Sequence, residues 1–259
     1  MKFPVIALLT DFGDENYFVS SMKAVIVNIN PLARIIDITH KIPSYDIYSG
    51  SFNIFAVYRY FPSKTIFLIV VDPEVGSSRK ILLAEAGDYY FIAPDNGILS
   101  LVLQREKKRR IRAIKNDKFF LHEAGRTFDG RDRMAPVAAW LSNGVSCGEF
   151  GPEIKSYKKI DIKPHSIKDN EIIGRVLYID KFGNLITDIP SEMVASKADI
   201  VIAGKIISNF EKNYVSAKKG EIFFLKGSLG FIEIALKEDS VSDKLKVRVR
   251  DEVKVRIRR

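Results

Sequence analysis

The chain opens on a continuous apolar run, Val5-Ile6-Ala7-Leu8-Leu9-Thr10, that ends in Asp-Phe-Gly. A run apolar on both faces predicts a buried parallel strand whose C-terminal end presents Asp11. Val19, Met22, Val25, Ile26 and Ile29 then recur at helical spacing until Asn30-Pro31 stops them. Residues 34–38 predict a second strand and 48–60 a second helix. Residues 65–71 give the strongest buried strand, ending at Asp72-Pro73, and further strands are predicted at 81–86 and 89–93. This alternation predicts an α/β N-terminal domain with a largely parallel sheet. Asp132 is expected to cap a helix through Met134, Val137, Ala138 and Leu141, with Pro136 tolerated in the first turn.

Beyond a polar, linker-like stretch at 151–169 the pattern changes to short strands at 172–179, 200–202, 222–225 and 231–236, separated by Gly, Asn and Lys-rich turns. These predict a smaller all-β C-terminal domain, with the division at 1–160 and 161–259. The tail alternates as Leu245, Val247, Val249, then Val253, Val255, Ile257 around Asp251-Glu252, and predicts a terminal basic β-hairpin.

Composition narrows the class. With 259 residues, 46% of them apolar and 28% charged, disordered and fibrous chains are excluded. Cys147 is the only cysteine, which excludes an intrachain disulfide and a cysteine-cluster zinc site. No apolar run reaches the roughly 18 to 20 residues that cross a bilayer, and the N-terminus lacks signal-peptide features, so a cytoplasmic protein with no membrane partner is expected. The net charge is +9. Residues 104–118 and the tail 244–259 each hold eight basic and two acidic side chains, which leaves the remainder at −3. A nucleic-acid partner for these two segments is therefore the less favoured alternative to solvated strand faces that protect sheet edges.

In an open parallel sheet, ligands bind at the carboxyl ends of strands. Three polar clusters fall there: Thr10-Asp11-Phe12-Gly13, Asp72 to Arg79, and Ala93-Pro94-Asp95-Asn96-Gly97. A carboxylate there can accept both hydroxyls of a ribose, or it can simply close a turn or cap a helix. Neither GxxxxGK[ST] nor GxGxxG is present, which disfavours a phosphorylated nucleotide. His40, His122 and His165 are isolated, so no metal is expected, and Cys147 has no neighbouring base to activate it.

LLTDFG (8–13), DITHKIP (37–43), VVDPEVGSSR (70–79), APDNGILS (93–100), FDGRDRMAPVAA (128–139), YIDKFGNLITDI (178–189) and KGSLGFIEIA (226–235) occur in this order. Together they resemble the family of S-adenosylmethionine (SAM) hydroxide adenosyltransferases, related to fluorinase and chlorinase. The resemblance implies hydrolysis of SAM to adenosine and L-methionine by attack of water or hydroxide on the ribose C5′, without a cofactor. It also implies a homotrimer with active sites between subunits. By the same resemblance Asp11 would bind the ribose hydroxyls, Asp180 and Ser228 the amino and carboxylate groups of the methionine part, and Asn184 the adenine edge. The water-orienting set would be Asp72, Arg79 and Asp129. At the last position the family's FHGRD is FDGRD here.

That departure matters chemically. An imidazole with a reference pKa of about 6.5 takes a proton near neutrality, whereas an aspartate of about 3.9 is a weaker base. Three readings follow: Asp129 still orients the water in a slower hydrolase; Arg79 and Asp129 form only a structural ion pair in a protein that binds without turnover; or another nucleophile is used, although a carboxylate repels a halide. Under the first, Asp129→His is expected to raise the rate and Asp72→Ala to lower it. Glu74, where the family commonly has glycine, is expected to be strained if its φ is positive. The segment 237–244 replaces the Asn-rich stretch that in relatives helps enclose adenine.

Overall fold

The N-terminal apolar run forms β1 (Val5–Thr10), and the segments that follow build a six-stranded sheet around it: β2 (Arg34–Thr39), β3 (Ile66–Val70), β4 (Ile81–Ala86), β5 (Tyr89–Pro94) and β6 (Arg109–Ala113), in the order β2-β1-β3-β5-β4-β6. The computed structural model describes residues 3–121 and 127–257, and the chain divides into two compact units, Met1–Asp161 and Ile162–Arg259. Among the described residues, four α-helices complete the first unit: α1 (Tyr17–Ile29), α2 (Ile47–Val57), α3 (Ser100–Arg105) and α4 (Ala135–Ser142).

β1 and β3 are buried along nearly their whole length because they are central strands. Ile6, Leu8, Leu68 and Val70 pack with Met22 and Ile26 of α1 and Val137 and Ala138 of α4, each fully buried aliphatic chain contributing about 1.5–3 kcal/mol. The two strands run parallel with Thr10 opposite Val70, so the residues that follow them, Asp11 and Asp72, leave the same edge of the sheet.

The sheet is only partly parallel, which corrects the expectation of a largely parallel one. β2, β1, β3 and β5 run parallel, but β4 is antiparallel to both β5 and β6. The cause is connection length: only Gly87 and Asp88 separate β4 from β5, and a two-residue turn joins antiparallel strands alone. The basic β6, which hydrophobic patterning missed, borders the sheet and is itself covered. Ala113 N donates to Pro152 O and Ile154 N to Ile111 O, so part of the expected linker is docked along this edge.

Asp132 does not cap α4. A π-helical turn over Gly130–Met134 runs directly into α4, with Asp129 at its N-terminal end and Pro136 in the first turn of α4. Buried Asp132 instead accepts from Arg131 Nε at 2.6 Å. Glu74 is not among the positive-φ residues; Gly76, at φ 81°, takes the left-handed position of that loop.

The second unit holds β7 (Ser166–Lys168), β8 (Glu171–Ile179), β9 (Leu185–Pro190), β10 (Ala198–Ile202), β11 (Lys205–Ile207), β12 (Ile222–Lys226), β13 (Phe231–Leu236) and β14 (Glu252–Ile257), with one short helix, α5 (Val241–Leu245). All pairings between these strands are antiparallel, in the order β11-β10-β14-β8-β9-β13-β12 with β7 on β8. β11 and β12 come back against each other, so the sheet curls into a barrel-like form around Val176, Leu185, Phe224, Ile234 and Val255.

The terminal hairpin does not form. Leu245 ends α5, Lys246 turns the chain in the left-handed region at φ 56°, and Val247 N donates to Ser242 O. The remaining half of the alternating tail, β14, is an inner strand between β10 and β8. The period-two pattern of Leu245, Val247 and Val249 is thus a helix end and a turn. Among the described residues no helix is long and apolar enough to cross a membrane.

Candidate active site

In the first unit, the end of β3 and the start of the π-helical turn converge on Arg79. Its Nε donates to Asp72 Oδ2 at 2.6 Å and its Nη2 to Asp129 Oδ2 at 2.5 Å, while Nη2 also pairs with Asp72. These three side chains are only 2–5% exposed. Burial works against the charge of Arg79, but the hydrogen bonds and charges of Asp72 and Asp129 outweigh it and raise its pKa. On the opposite side of Asp129, Oδ1 lies 3.3 Å from Arg133 Nε, one helical turn on.

Asp11 stands beside this cluster. Its Oδ2 accepts from Tyr45 N at 2.8 Å. Burial pushes its carboxyl up, the Tyr45 hydrogen bond opposes this, and the charge of Asp72 adds to the rise. The loop around Asp11 is fixed from behind by buried His40, whose Nδ1 is 2.9 Å from Thr10 Oγ1, whose Nε2 is 3.0 Å from Asp37 Oδ1, and whose carbonyl accepts from Gly13 N at 2.8 Å. Asp37 is in turn held by Lys23 at 2.6 Å. His40→Ala leaves the buried Thr10 hydroxyl with only the long bond from Phe12 N at 3.3 Å and frees Asp37 of its imidazole partner, and a loss of about 1–3 kcal/mol is expected in thermal melting.

The third polar cluster is structural. Asp95 Oδ1 accepts from Lys158 N at 2.7 Å, and Asn96 Nδ2 donates to Val71 O at 2.8 Å. His165 lies in the second unit, and His122 lies outside the described residues. Burial raises the Cys147 thiol to about 11, so it is protonated at neutral pH. Among the described residues no group of His, Cys, Asp and Glu is arranged to hold a metal ion.

In the second unit, Asp180 closes the turn between β8 and β9. Its Oδ1 accepts from Phe182 N at 2.8 Å and Asn184 N at 3.0 Å, and its Oδ2 from Asn184 Nδ2 at 2.9 Å. The last bond fixes the Asn184 amide with Nδ2 toward Asp180. Both side chains line a cleft of about 510 Å3 together with Tyr214, Leu236, Asp239 and Ser240. The Tyr214 hydroxyl donates to Glu233, whose buried carboxyl is pushed up by desolvation and by the charge of Asp180. Ser228 sits exposed on the tight turn joining β12 to β13, outside the set of lining residues.

Residues 6–151 match the SAM hydroxide adenosyltransferase N-terminal domain, and residues 174–254 match its C-terminal domain. The chain belongs to this family. A protein of Methanocaldococcus jannaschii named (R)-S-adenosyl-L-methionine hydrolase is 34% identical over 97% of this chain and 95% of its own. A fluorinase of Actinoplanes sp. is 26% identical over 72% of each chain. The crystal structure of an uncharacterized conserved protein from Thermotoga maritima superposes with a TM-score of 0.91 at 34% identity, covering 97% of this chain and 100% of the other.

For a SAM hydroxide adenosyltransferase, the first unit thus brings together Asp72, Arg79 and Asp129, with Asp11 in electrostatic contact, and the second brings together Asp180 and Asn184. Sequence reasoning missed Arg133, Tyr214 and Glu233. Arg133 carries a readable signal, a base four residues after an acid on one helix. Tyr214 carries none, since it lies in a loop. Some side chains of the two basic segments are in ion pairs: Arg110 with Glu153 at 3.4 Å, Lys118 with Glu149 at 3.2 Å and Arg256 with Glu171 at 2.6 Å.

Proposed function

We propose that this protein hydrolyses SAM to adenosine and L-methionine, with the (R) sulfonium epimer, named for several relatives, as its preferred substrate. The observation that carries this reading is the buried Asp72–Arg79–Asp129 constellation in a chain of this family. The water oxygen attacks C5′ in line with sulfur, the C5′–S bond breaks, and its electron pair leaves with the neutral thioether of methionine. One water proton passes to the carboxylate set and on to solvent. A neutral leaving group departing from a cation needs no metal or cofactor, so the task of the site is to position the nucleophile and the ribose.

Asp11 binds the ribose hydroxyls, with Tyr45 N steadying one of its oxygens. Asp129, in the place of the family histidine, accepts from and orients the water. Its carboxylate also disfavours an anionic nucleophile by charge repulsion. Asn184, with Nδ2 given to Asp180, offers Oδ1 as an acceptor to the adenine amino group. Asp180 and Ser228 serve the methionine end. By family resemblance, subunits assemble as a homotrimer in which the first unit of one subunit and the second unit of another hold one substrate. Light scattering at three times the chain mass is the expected result.

Incubation of the protein with separated SAM epimers is expected to release adenosine and methionine from the (R) form. Asp72→Ala is expected to lower turnover about a hundredfold or more, the usual worth of a group handling the reacting proton. Substrate binding without product would exclude hydrolysis, and equal consumption of both epimers would exclude the stereochemical preference.

A further inference from the structure

Two buried carboxylates share one buried guanidinium in this site, which leaves an excess negative charge if Asp72, Arg79 and Asp129 are taken alone. An uncompensated buried charge is strongly unfavourable, so a second cation is required within reach. Arg133 supplies it from the same helical stretch, 3.3 Å from Asp129 Oδ1, with its guanidinium held over the Phe120 ring at 5.5 Å.

Distance alone does not make the pair a hydrogen bond. Asp129 Oδ1 and Arg133 Nε are both buried and neither has a hydrogen-bond partner. An acceptor and a donor stand side by side, each with a bonding direction unused. Neither atom has surface that a water could touch, so the two are held against each other by charge across 3.3 Å.

We propose that Arg133 is a positioning residue of the hydrolytic site: it neutralises the extra charge of Asp129 and, with Arg79 on Oδ2, fixes the orientation of that carboxylate from the Oδ1 side. This rests on the hydrolase reading above. Asp129 and Arg133 then act as a unit, and the aspartate at a position where the family carries histidine is matched by the arginine one turn later.

The test is a kinetic double-mutant cycle on the full chain, following adenosine release. Arg133→Met keeps the length and apolar stem of the side chain. It is expected to lower kcat about ten- to a hundredfold through misplacement of the Asp129 carboxylate, with KM changed by less than about threefold. Arg133→Lys is expected to recover part of the loss, and Asp129→Asn/Arg133→Met to be no slower than Asp129→Asn. The gain expected of Asp129→His should require Arg133→Met as well, because Arg133 beside an imidazole disfavours its protonated form. Wild-type kcat in Arg133→Met, losses that multiply in the double variant, or a single Asp129→His as fast as the double would each overturn the role of Arg133. Absence of adenosine from the wild-type protein would overturn the hydrolase reading itself, and this positioning role with it.

Discussion

Arg79→Met is expected to abolish adenosine release and to destabilise the first unit by about 3–5 kcal/mol, the usual cost of removing one partner from a buried ion pair. The Arg79 side chain is 2% exposed and lies between Asp72 and Asp129, so its loss leaves Asp72 without a cation and Asp129 with Arg133 alone. At roughly 2–4 °C per kcal/mol for a unit of this size, the melting temperature should fall by about 6–20 °C. Arg79→Lys restores charge but not the planar fork that donates to Asp72 through Nε and to Asp129 through Nη2. It should therefore recover more stability than activity. Calorimetry and adenosine release, measured together on both variants, separate these effects. A methionine variant that melts within about 2 °C of the wild type would mean that the carboxylates are not held by Arg79.

The strands that position this site were legible because their residues are buried on both faces. β1 and β3 read as continuous apolar runs, and their ends place Asp11 and Asp72 side by side through the register Thr10 opposite Val70. Direction was less legible. The reversal of β4 depends on the shortness of the Gly87-Asp88 turn, which alternation of elements does not register. The tail misled because Leu245, Val247 and Val249 satisfy a period of two while Lys246 bends the chain between them. Within the site, the motifs carried Asp72, Arg79 and Asp129 but not Arg133 or Tyr214. That Asp95 secures Lys158, and that Arg133 answers the charge of Asp129, are consequences of packing between segments far apart or one turn apart, and each residue alone is an ordinary surface type.

Gly183→Ala is expected to damage the second unit as sharply as Arg79→Met damages the first. Gly183 lies at φ +81°, where a side chain costs about 1–2 kcal/mol. A Cβ there would meet Ser240 Cβ at 2.6 Å and its Cα at 2.9 Å, and backbone cannot yield as a flexible side-chain tip does. Overpacking of this kind adds about 1–3 kcal/mol. Ser242 N donates to Gly183 O at 3.0 Å, so the segment bearing Ser240 is tied to the turn that also sets Asp180 and Asn184. Displacing it moves two walls of the cleft at once. A stability loss of about 2–5 kcal/mol and at least about tenfold weaker SAM binding are expected, by thermal melting and by titration calorimetry. Gly204→Ala is the matched control: Gly204 has a similar φ of +71° with nothing within 4 Å of its Cβ position, so only the conformational cost applies. Equal losses in the two alanine variants would show that the contact with Ser240 carries no weight, and that the cleft is not held at this turn.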